Sequence, residues 1–597
     1  MKRRLREAFS IVRFRRRLAD VDALPQLSLL ALASGLVTGV VMTAFRLLLE
    51  APLSGLTPGA TSQRFETLPW QARLLLPLLG GFVLGLALER LKPARRIVGV
   101  THVMERLARH QGHLPAGNAW VQFVGGILAL ASGQSAGREG PAIHLGAAAS
   151  SQLGTRLRLP NNSVRTLVAC GTAAAIAASF NTPLAGVIFA MEVVMMEYTV
   201  ASFIPMIIAA VSATLVAVVA HGNAPAFSVP PLLLASLRDL PWVLFAAVVV
   251  GVVAAAFMHL VETFAALHRF PLWARITTAG ALTGAAALVA PEVMGVGYDT
   301  VEDALLGEFG LTLLLLVAAL KLATSAAAAG LGVPAGIIGP TLVIGATTGG
   351  ALGVLGGLLV PEYASEPGLY GLLGMGAMMA AVLQAPLAAL MAMLELTLNP
   401  NIILPAMLSV VVASLVSSQV FRRRSIFLTL LERRGLQYTS DPITLALQRA
   451  GVGSRMERRL VRARKRVTRS EAAALLAREP AWIVVDDAEG PVCVLAAADL
   501  ARHLESGEEE APPAPAGTGA GGDAPPADGK VDLLAIPGLR KDVTLMPVQA
   551  TLHEALAALD ASGKEAVCVT RTAAPMITPI IGVLTRADIE KYYGLKG

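Results

Sequence analysis

The amino-acid sequence predicts an α-helical, polytopic membrane protein made of two inverted repeats with broken helices, followed by a cytoplasmic α/β pair of modules. Of the 597 residues, 54% are hydrophobic and 15% are charged, whereas about 25% of residues in a soluble protein are charged. Gly and Pro interrupt the apolar segments, and one glycine-proline motif occurs twice. A polar tail follows the apolar part. A water-soluble globule is therefore excluded.

Composition and charge also limit the function. Cys170, Cys493 and Cys568 are scattered and follow no metal or disulfide spacing, so we expect neither a metal site nor a disulfide scaffold. The net charge of +7 is small for this length and gives no support to a nucleic-acid partner. The expected environment is the lipid bilayer.

Residues 1–25 form a basic segment that we expect to lie in the cytoplasm. Eight of the first 17 residues are Lys or Arg, and no signal-peptide cleavage site follows them. A second basic cluster, Arg455–Arg469, contains another eight Lys or Arg. The positive-inside rule then predicts a multi-pass protein with both termini cytoplasmic and an even number of crossings. Compact loops, an Ala-rich composition and more Arg than Lys favour a bacterial inner (plasma) membrane.

Residues 26–435 are predicted to form the membrane domain. A spanning helix needs about 20 apolar residues, and several of the apolar runs are shorter or are cut by Gly and Pro. Interrupted segments of this kind are typical of transport proteins, in which half-helices end at the membrane midplane. The apolar runs are 27–49, 72–89, 119–132, 164–179, 184–220, 241–264, 275–290, 311–329, 341–360, 369–396 and 402–420.

The membrane part contains an internal repeat. The motif Gly137–Pro141 recurs as Gly336–Pro340 at an offset of 199 residues. Downstream, Pro183-Leu-Ala and Pro386-Leu-Ala are each followed by a glutamate nine residues after the proline, at an offset of 203. We infer two homologous halves, 26–235 and 236–430, which are inverted if each crosses the membrane an odd number of times.

Each Gly-x-x-Gly-Pro motif predicts a helix start that can hold an anion. Proline suits the first helical turn, and the preceding glycines leave backbone N–H groups unshielded. A helix start carries a partial positive charge, so two starts that meet near the pseudo-twofold axis form an anion site without a cationic side chain. Such dipoles bind weakly enough to allow fast permeation.

One motif carries a carboxylate, Glu139, where the other has Ile338. When ionised it competes for the place of the anion, and when protonated it releases that place. We therefore predict that Glu139 is a gate and a proton carrier rather than only a helix-stabilising acid. Arg138 is expected to find a partner or to snorkel to the interface. Glu192 and Glu395 are either proton relays or helix-end acids satisfied by local N–H groups.

The tail is predicted to hold two α/β modules, at 436–504 and 531–597, joined by a disordered linker at 505–530. The linker is rich in Glu, Pro, Gly and Ala and has almost no bulky apolar residue. Each module has a helix, two strands and a closing helix. The predicted elements are Glu471–Arg478, Trp482–Asp486, Pro491–Leu495 and a helix from Ala498, then Thr551–Ser562, Ala566–Thr570, Pro579–Leu584 and a helix from Ala587.

The motifs Gly137–Pro141, Phe180–Gly186 and Gly336–Pro340 resemble those of the CLC family of chloride channels and chloride/proton exchangers, in order over about residues 26–435. The resemblance implies a homodimer with one pore per subunit and Glu139 as the gating glutamate. It also implies anion coordination by backbone N–H groups, which the following residues would supply: Arg138, Gly140, Ile337, Ile338 and Gly339.

The tail resembles the paired CBS modules that many CLC proteins carry, on the segment Gly582–Ile589. Thr585 and Asp588 match the positions at which such pairs hold the ribose of adenine nucleotides. The first module has Ala496 in place of the threonine and keeps only Asp499. We therefore expect no cofactor, with an adenine nucleotide at the module pair as the one possibility considered; the ligand-free interpretation is a dimerising scaffold.

Departures from the family pattern bear on selectivity and on proton coupling. Val98 falls where the family has a serine hydroxyl, and Phe427 falls where it has a tyrosine. Unless Thr101, His102 or Ser425 substitutes, the central anion site has only N–H donors. Because the hydroxyl groups tune selectivity, a preference for chloride over nitrate, fluoride or bicarbonate is then in question. The inner proton-transfer acid of the exchangers falls on Val193, next to Glu192, as in channel members.

Other signals carry less weight. Gly133–Gly137 matches the Gly-x-Ser-x-Gly motif of hydrolases, but an apolar membrane run precedes it instead of a strand, so we do not expect an enzyme. His144 is expected to be a packed membrane histidine. Lys321, inside an apolar run, is expected to be paired or to lie in an aqueous vestibule. An ATP-binding Gly-x-x-x-x-Gly-Lys-Ser/Thr motif does not occur, which leaves primary active transport unsupported.

The sequence therefore predicts transmembrane transport of chloride or a similar monovalent anion past Glu139, channel-like or weakly coupled to protons. One alternative is a proton-coupled anion exchanger. A second is a nucleotide-sensing regulatory protein whose membrane part is secondary.

Overall fold

The computed structural model describes residues 14, 17–20, 23–56, 65–222, 227, 232–436, 441–488, 490–509, 530–571 and 579–594. It divides into two compact units. One comprises Leu24–Leu157 and Val164–Thr439, and the other comprises Met1–Ala23, Arg158–Ser163 and Ser440–Gly597. Residues 1–13 of the predicted basic segment lie outside the described residues.

The first unit is helical and holds the predicted membrane domain. Its helices are α1 Leu24–Leu56, α2 Trp70–Glu89, α3 Val100–Arg109, α4 Ala116–Ala131, α5 Glu139–Arg156, α6 Asn161–Phe180, α7 Pro183–Phe189, α8 Val200–His221, α9 Leu240–Ala265, α10 Leu272–Ala287, α11 Tyr298–Leu305, α12 Leu311–Leu331, α13 Ile338–Leu359, α14 Pro367–Leu383, α15 Pro386–Thr397, α16 Ile403–Leu415 and α17 Ile426–Glu432. Eight spans among the described residues are long and apolar enough to cross a membrane, and α4, α7, α14 and α15 belong to shorter apolar segments.

Two of the predicted apolar runs are divided in the structure. The run 184–220 consists of α7, the π-helical segment Ala190–Met195, a left-handed residue at Met196 (φ 53°) and α8. The run 369–396 consists of α14, a left-handed Gln384 (φ 55°) and α15, which begins at Pro386. Proline cannot continue a preceding helix but suits the first turn of a new one, so both α7 and α15 start at the repeated proline.

The two halves have the same order of helices, which confirms the predicted fold class. Helices α5 to α8 correspond to α13 to α16, and the equivalent helices α7 and α15 pack against each other. Close helix crossings recur at equivalent glycines. A methyl group on Gly146 would lie 2.3 Å from the Gly171 carbonyl oxygen, and one on Gly345 would lie 2.4 Å from that of Gly374. Neither crossing leaves room for a side chain at these positions.

The second unit is an α/β domain around one six-stranded sheet with strand order β1-β3-β4-β6-β7-β8. In each half of the sheet a parallel pair is followed by an antiparallel strand, and β4 pairs with β6 to join the halves. Its elements are α18 Pro442–Arg449, α19 Val452–Arg455, β1 Leu460–Arg464, β2 Arg466–Thr468, α20 Arg469–Leu476, β3 Trp482–Asp487, β4 Gly490–Ala496, α21 Ala497–Glu509, β5 Lys530–Asp532, β6 Arg540–Pro547, α22 Leu552–Ser562, β7 Ala566–Thr570, β8 Ile580–Thr585 and α23 Arg586–Gly594.

The helices and strands predicted for the tail occur close to their predicted positions. Thr468 and Thr551 each form a capping box with the glutamate three residues later, which explains where α20 and α22 begin. The predicted linker starts later than expected, because α21 continues to Glu509 through residues with good helix propensity. Its remainder, 510–529, lies outside the described residues.

Candidate anion site

The two Gly-x-x-Gly-Pro motifs meet at their first glycines. Gly137 donates a backbone hydrogen bond to the Gly336 oxygen (2.7 Å), and Gly336 donates one to the Gly137 oxygen (2.6 Å). These glycines occupy equivalent positions in the two halves, so the pseudo-twofold relation passes between them. A Cβ atom on Gly336 would lie 2.6 Å from the Gly140 nitrogen, so only glycine allows this approach. The helices α5 and α13 therefore start side by side.

A cavity of about 130 Å³ opens beside these helix starts. It is lined by Val98 and Thr101 at the start of α3, by Gly140 at the start of α5 and by Ile337 and Ile338 at the start of α13. Phe427 of α17 also lines it. First-turn N–H groups have no partner within their own helix, so three helix starts present positive backbone groups to one space.

The side chains that line this cavity are mostly apolar. Thr101 supplies the only hydroxyl among its described lining residues, and Arg96 and Arg434 supply the charged groups. Val98 and Phe427 both lie at the cavity, where neither side chain can donate a hydrogen bond. Ser425 and His102 do not line it, so Thr101 is the one of the three considered substitutes that the structure places there.

The Glu139 side chain lies immediately behind Gly140 and is buried, with 1% of its surface exposed. The Tyr298 hydroxyl donates a hydrogen bond of 2.5 Å to its Oε1 atom. Its carboxylate lies against glycine backbone: ideal Cβ positions on Gly137 and Gly339 would be 1.9 Å from Oε2 and 2.9 Å from Oε1. Gly339 therefore borders the Glu139 carboxylate and is not among the residues that line the cavity.

The Arg138 side chain points away from the cavity. It donates a hydrogen bond of 2.8 Å to the Ser179 oxygen, and its guanidinium lies 5.0 Å from the ring centres of both Phe180 and Tyr298. This cation lies against the same tyrosine that holds Glu139. Of the two expectations for Arg138, a local partner is the one that the contacts match.

Glu192 and Glu395 each cap the helix of the opposite repeat. Glu192 accepts hydrogen bonds from the backbone nitrogens of Leu387 (3.3 Å) and Ala388 (2.7 Å) at the start of α15. Glu395 accepts them from Leu184 (2.9 Å) and Ala185 (2.7 Å) at the start of α7. These carboxylates therefore satisfy helix N–H groups across the repeat, and a proton-relay role for Glu192 stays a prediction.

Sequence reasoning did not single out Tyr298, which lies 159 residues from Glu139 in the chain. Its only local signal is the segment Gly295-Val-Gly-Tyr, which predicts a turn before α11. Lys321 is fully buried and donates to the carbonyl oxygens of Val293 (3.0 Å) and Gly295 (2.9 Å) in that turn. Lys321 is thus paired as predicted, with the backbone oxygens of Val293 and Gly295 as its hydrogen-bond acceptors.

In the α/β unit, the two predicted nucleotide-binding residues contact each other. The backbone nitrogen and the hydroxyl of Thr585 donate to Asp588 Oδ2 at 2.9 and 2.7 Å, where they cap α23. Asp499, the corresponding residue of the first module, accepts a hydrogen bond from the Leu539 nitrogen at 2.8 Å. Burial in the sheet raises the pKa of the Cys568 thiol to about 12. Nucleotide binding stays a prediction.

The repeat, the helix starts and the buried glutamate define a polytopic membrane protein of the ion-transport class. The profile described as "Voltage gated chloride channel" matches residues 80–418. The chain therefore belongs to this family, the CLC family.

The chain aligns with curated relatives over most of their length. The "Putative chloride channel protein ClcB-like" of Ralstonia nicotianae is 34% identical over 352 residues, which cover 58% of this chain and 82% of the relative. The "H(+)/Cl(-) exchange transporter ClcA" of Vibrio cholerae is 30% identical over 420 residues, which cover 68% of this chain and 88% of the relative.

Solved structures share the fold. The match to a slow cyanobacterial Cl⁻/H⁺ antiporter has a TM-score of 0.62 at 25% identity, and it covers 68% of this chain and 97% of the antiporter chain. The match to a eukaryotic CLC transporter has a TM-score of 0.55 at 19% identity, and it covers 94% of this chain and 97% of the transporter chain. The second match shows fold likeness alone, and its coverage takes in residues of the C-terminal α/β unit.

Proposed function

We propose that this protein transports chloride or a similar monovalent anion across the membrane, through the cavity at the starts of α3, α5 and α13 and past Glu139. The observation that carries the proposal is the convergence of three helix starts on one cavity, with a buried carboxylate behind Gly140. We further propose a multi-pass location in the plasma membrane with cytoplasmic termini, and a homodimer with one pore per subunit.

In the proposed mechanism, backbone N–H groups at the helix starts hold the anion. Because these groups carry only partial charges, the anion is attracted without being trapped. Arg96 and Arg434 at the cavity draw anions in and raise their local concentration. Thr101 is the hydroxyl available to distinguish anions by hydrogen bonding.

The gating step is proposed for the Glu139 side chain. Its carboxylate lies against Gly137 and Gly339, next to the same helix starts that attract the anion. While ionised and bonded to Tyr298, the carboxylate takes up the positive potential of these starts and blocks passage. Addition of a proton removes the negative charge of the carboxylate. The helix starts then attract the anion more strongly than the neutral side chain, which moves aside.

Two interpretations of proton coupling remain open to experiment. Glu139 can carry a proton in either case, and the relative named as an exchanger favours coupled transport. The apolar Val193 beside Glu192 favours channel-like or weakly coupled flux. The ClcB-like relative carries a channel name. We place channel-like or weakly coupled transport first and coupled exchange second.

Flux from liposomes containing the full-length protein tests the proposal. Chloride efflux and proton movement would be recorded together for the wild type, for Glu139→Gln and for Glu366→Gln, a matched control at the exposed start of α14. We expect chloride efflux in all three, with pH dependence lost only in Glu139→Gln. Uphill proton movement driven by a chloride gradient would select coupled exchange. Failure of the wild type to pass any anion would overturn the proposed function.

For the α/β unit we propose a pair of CBS modules that regulates transport, with an adenine nucleotide as its ligand. The two-fold arrangement of strands and the two capping boxes support the module pair. Equilibrium binding of ATP and AMP to the full-length protein, with Thr585→Ala as the variant and Thr570→Ala as the control, tests the ligand. Saturable binding that Thr585→Ala weakens is expected, and absence of saturable binding would favour a ligand-free scaffold.

A further inference from the structure

The proposed mechanism makes no use of a buried pair of histidines beside the cavity. Nδ1 of His102, on α3, and Nε2 of His144, on α5, are 2.8 Å apart, and the two rings are stacked with centres 5.1 Å apart. His102 is 4% exposed and His144 is fully buried. Nδ1 of His144 has no partner among the described residues. One hydrogen bond therefore joins two helices in an apolar interior.

Both histidines lie next to residues that line the cavity. His102 directly follows Thr101, and His144 lies one helical turn beyond Gly140. The hydrogen bond therefore connects the first turn of α3 to the early turns of α5. These are two of the three helix starts that line the cavity.

A second connection holds the other end of α3. Ser151 of α5 accepts a hydrogen bond from the Leu114 nitrogen (2.8 Å) and donates one to the Gly112 oxygen (2.7 Å). Arg165 of α6 also donates to the Leu107 oxygen. Loss of the histidine bond would therefore leave the far end of α3 anchored and loosen its first turn, where the cavity lies.

We propose that the His102–His144 hydrogen bond is a positioning pair that sets the separation of the N–H donors of α3 and α5, and through it the selectivity among anions. This inference rests on the proposed anion transport. Because the Val98 and Phe427 side chains have no hydrogen-bond donor, anions of different size can be distinguished by the spacing of the backbone donors and by the Thr101 hydroxyl. A fixed spacing favours one anion radius, and a loosened spacing discriminates less.

The test compares His144→Gln with His144→Leu. The glutamine amide can place an N–H or an oxygen near the position of Nε2 and keep the bond to His102, whereas leucine removes it. His113→Leu is the matched control, because His113 Nδ1 bonds to Thr155 of α5 at 3.0 Å on the exposed side. The readout is the ratio of chloride to nitrate flux in liposomes, together with the concentration of half-saturation.

We expect His144→Gln and His113→Leu to keep the wild-type flux ratio. His144→Leu should change that ratio by about tenfold, which corresponds to about 1.4 kcal/mol. His102→Leu should produce the same change from the other side of the bond, so the test stands if one variant fails to fold.

Each other outcome is informative. A wild-type ratio in stably folded His144→Leu or His102→Leu would overturn the inference. A His144→Gln ratio shifted as far as that of His144→Leu would also overturn it, because imidazole chemistry such as proton transfer would then be required. If the wild type itself passes no anion, the proposed function fails instead.

Discussion

Replacement of Tyr298 by phenylalanine removes one hydroxyl group from the proposed gate and leaves the ring. The ring packs edge-on against Phe180 and Phe227, with centres 5.9 Å apart in both cases, and these contacts are retained. The change therefore removes the hydrogen bond from the Tyr298 hydroxyl to Glu139 Oε1 at 2.5 Å, together with the contact of that hydroxyl with the Arg138 side chain.

The expected size follows from the kind of hydrogen bond that is lost. A hydrogen bond to an ionised carboxylate contributes about 1.5 to 3 kcal/mol. Because about 1.4 kcal/mol is a tenfold change in an equilibrium constant, the closed position of Glu139 should lose about 10- to 150-fold in its population relative to the open one. Anion flux at alkaline pH, where ionised Glu139 closes the path, should rise accordingly, while flux at acidic pH should change little.

The assay is chloride efflux from liposomes across a series of pH values. Tyr370→Phe is the matched control, because the Tyr370 hydroxyl also bonds to a buried carboxylate, that of Asp239, away from the cavity. In the Glu139→Gln background, Tyr298→Phe should have no further effect on pH dependence, since the two changes act on one contact. A pH profile identical to the wild type in correctly folded Tyr298→Phe would refute the view that Tyr298 holds the gate closed.

Three further predictions concern other contacts. Gly137→Ala would place Cβ 1.9 Å from Glu139 Oε2, so the carboxylate is displaced and efflux should lose its pH dependence; retained dependence in liposomes would contradict the geometry. Glu395→Gln weakens two helix-capping hydrogen bonds and should lower the free energy of unfolding by about 1 kcal/mol, which is measured as a lower unfolding temperature in detergent. Glu192→Gln should match it, and a selective loss of proton movement in Glu192→Gln would instead support a proton relay. With a pKa of about 12, the Cys568 thiol stays protonated below that pH and should react slowly with thiol reagents until the α/β unit unfolds. Rapid reaction in the folded protein would show that this strand is exposed.

Local sequence was sufficient for much of the architecture. The chemistry of proline accounts for the helix starts at Pro183 and Pro386, and Thr-x-x-Glu capping boxes account for the starts of α20 and α22, although neither signal was used to predict these starts. The repeat offsets also predicted which residues would be equivalent. Composition alone misplaced the start of the tail linker at 505, because glutamate-rich segments can be helical as well as disordered.

The candidate site was predicted as one set of residues. Of that set, the structure brings Val98, Gly140, Ile337, Ile338 and Phe427 to one cavity, and Arg138 and Gly339 are not among the lining residues. Their motifs carry backbone information, since Gly and Pro fix where a helix begins and which N–H groups stay exposed. The side-chain contacts around them left no comparable mark in the sequence.

The sequence by itself determined the membrane class, the repeated halves, the glycine-proline helix starts and the carboxylate among them. These properties depend on composition and on residues close together in the chain. Only the tertiary structure decided that Tyr298 holds Glu139, that each repeat caps a helix of the other, and that His102 bonds to His144. Such contacts join residues tens to hundreds of positions apart, and their geometry exists only once the helices pack, because no local pattern specifies which side chains then meet.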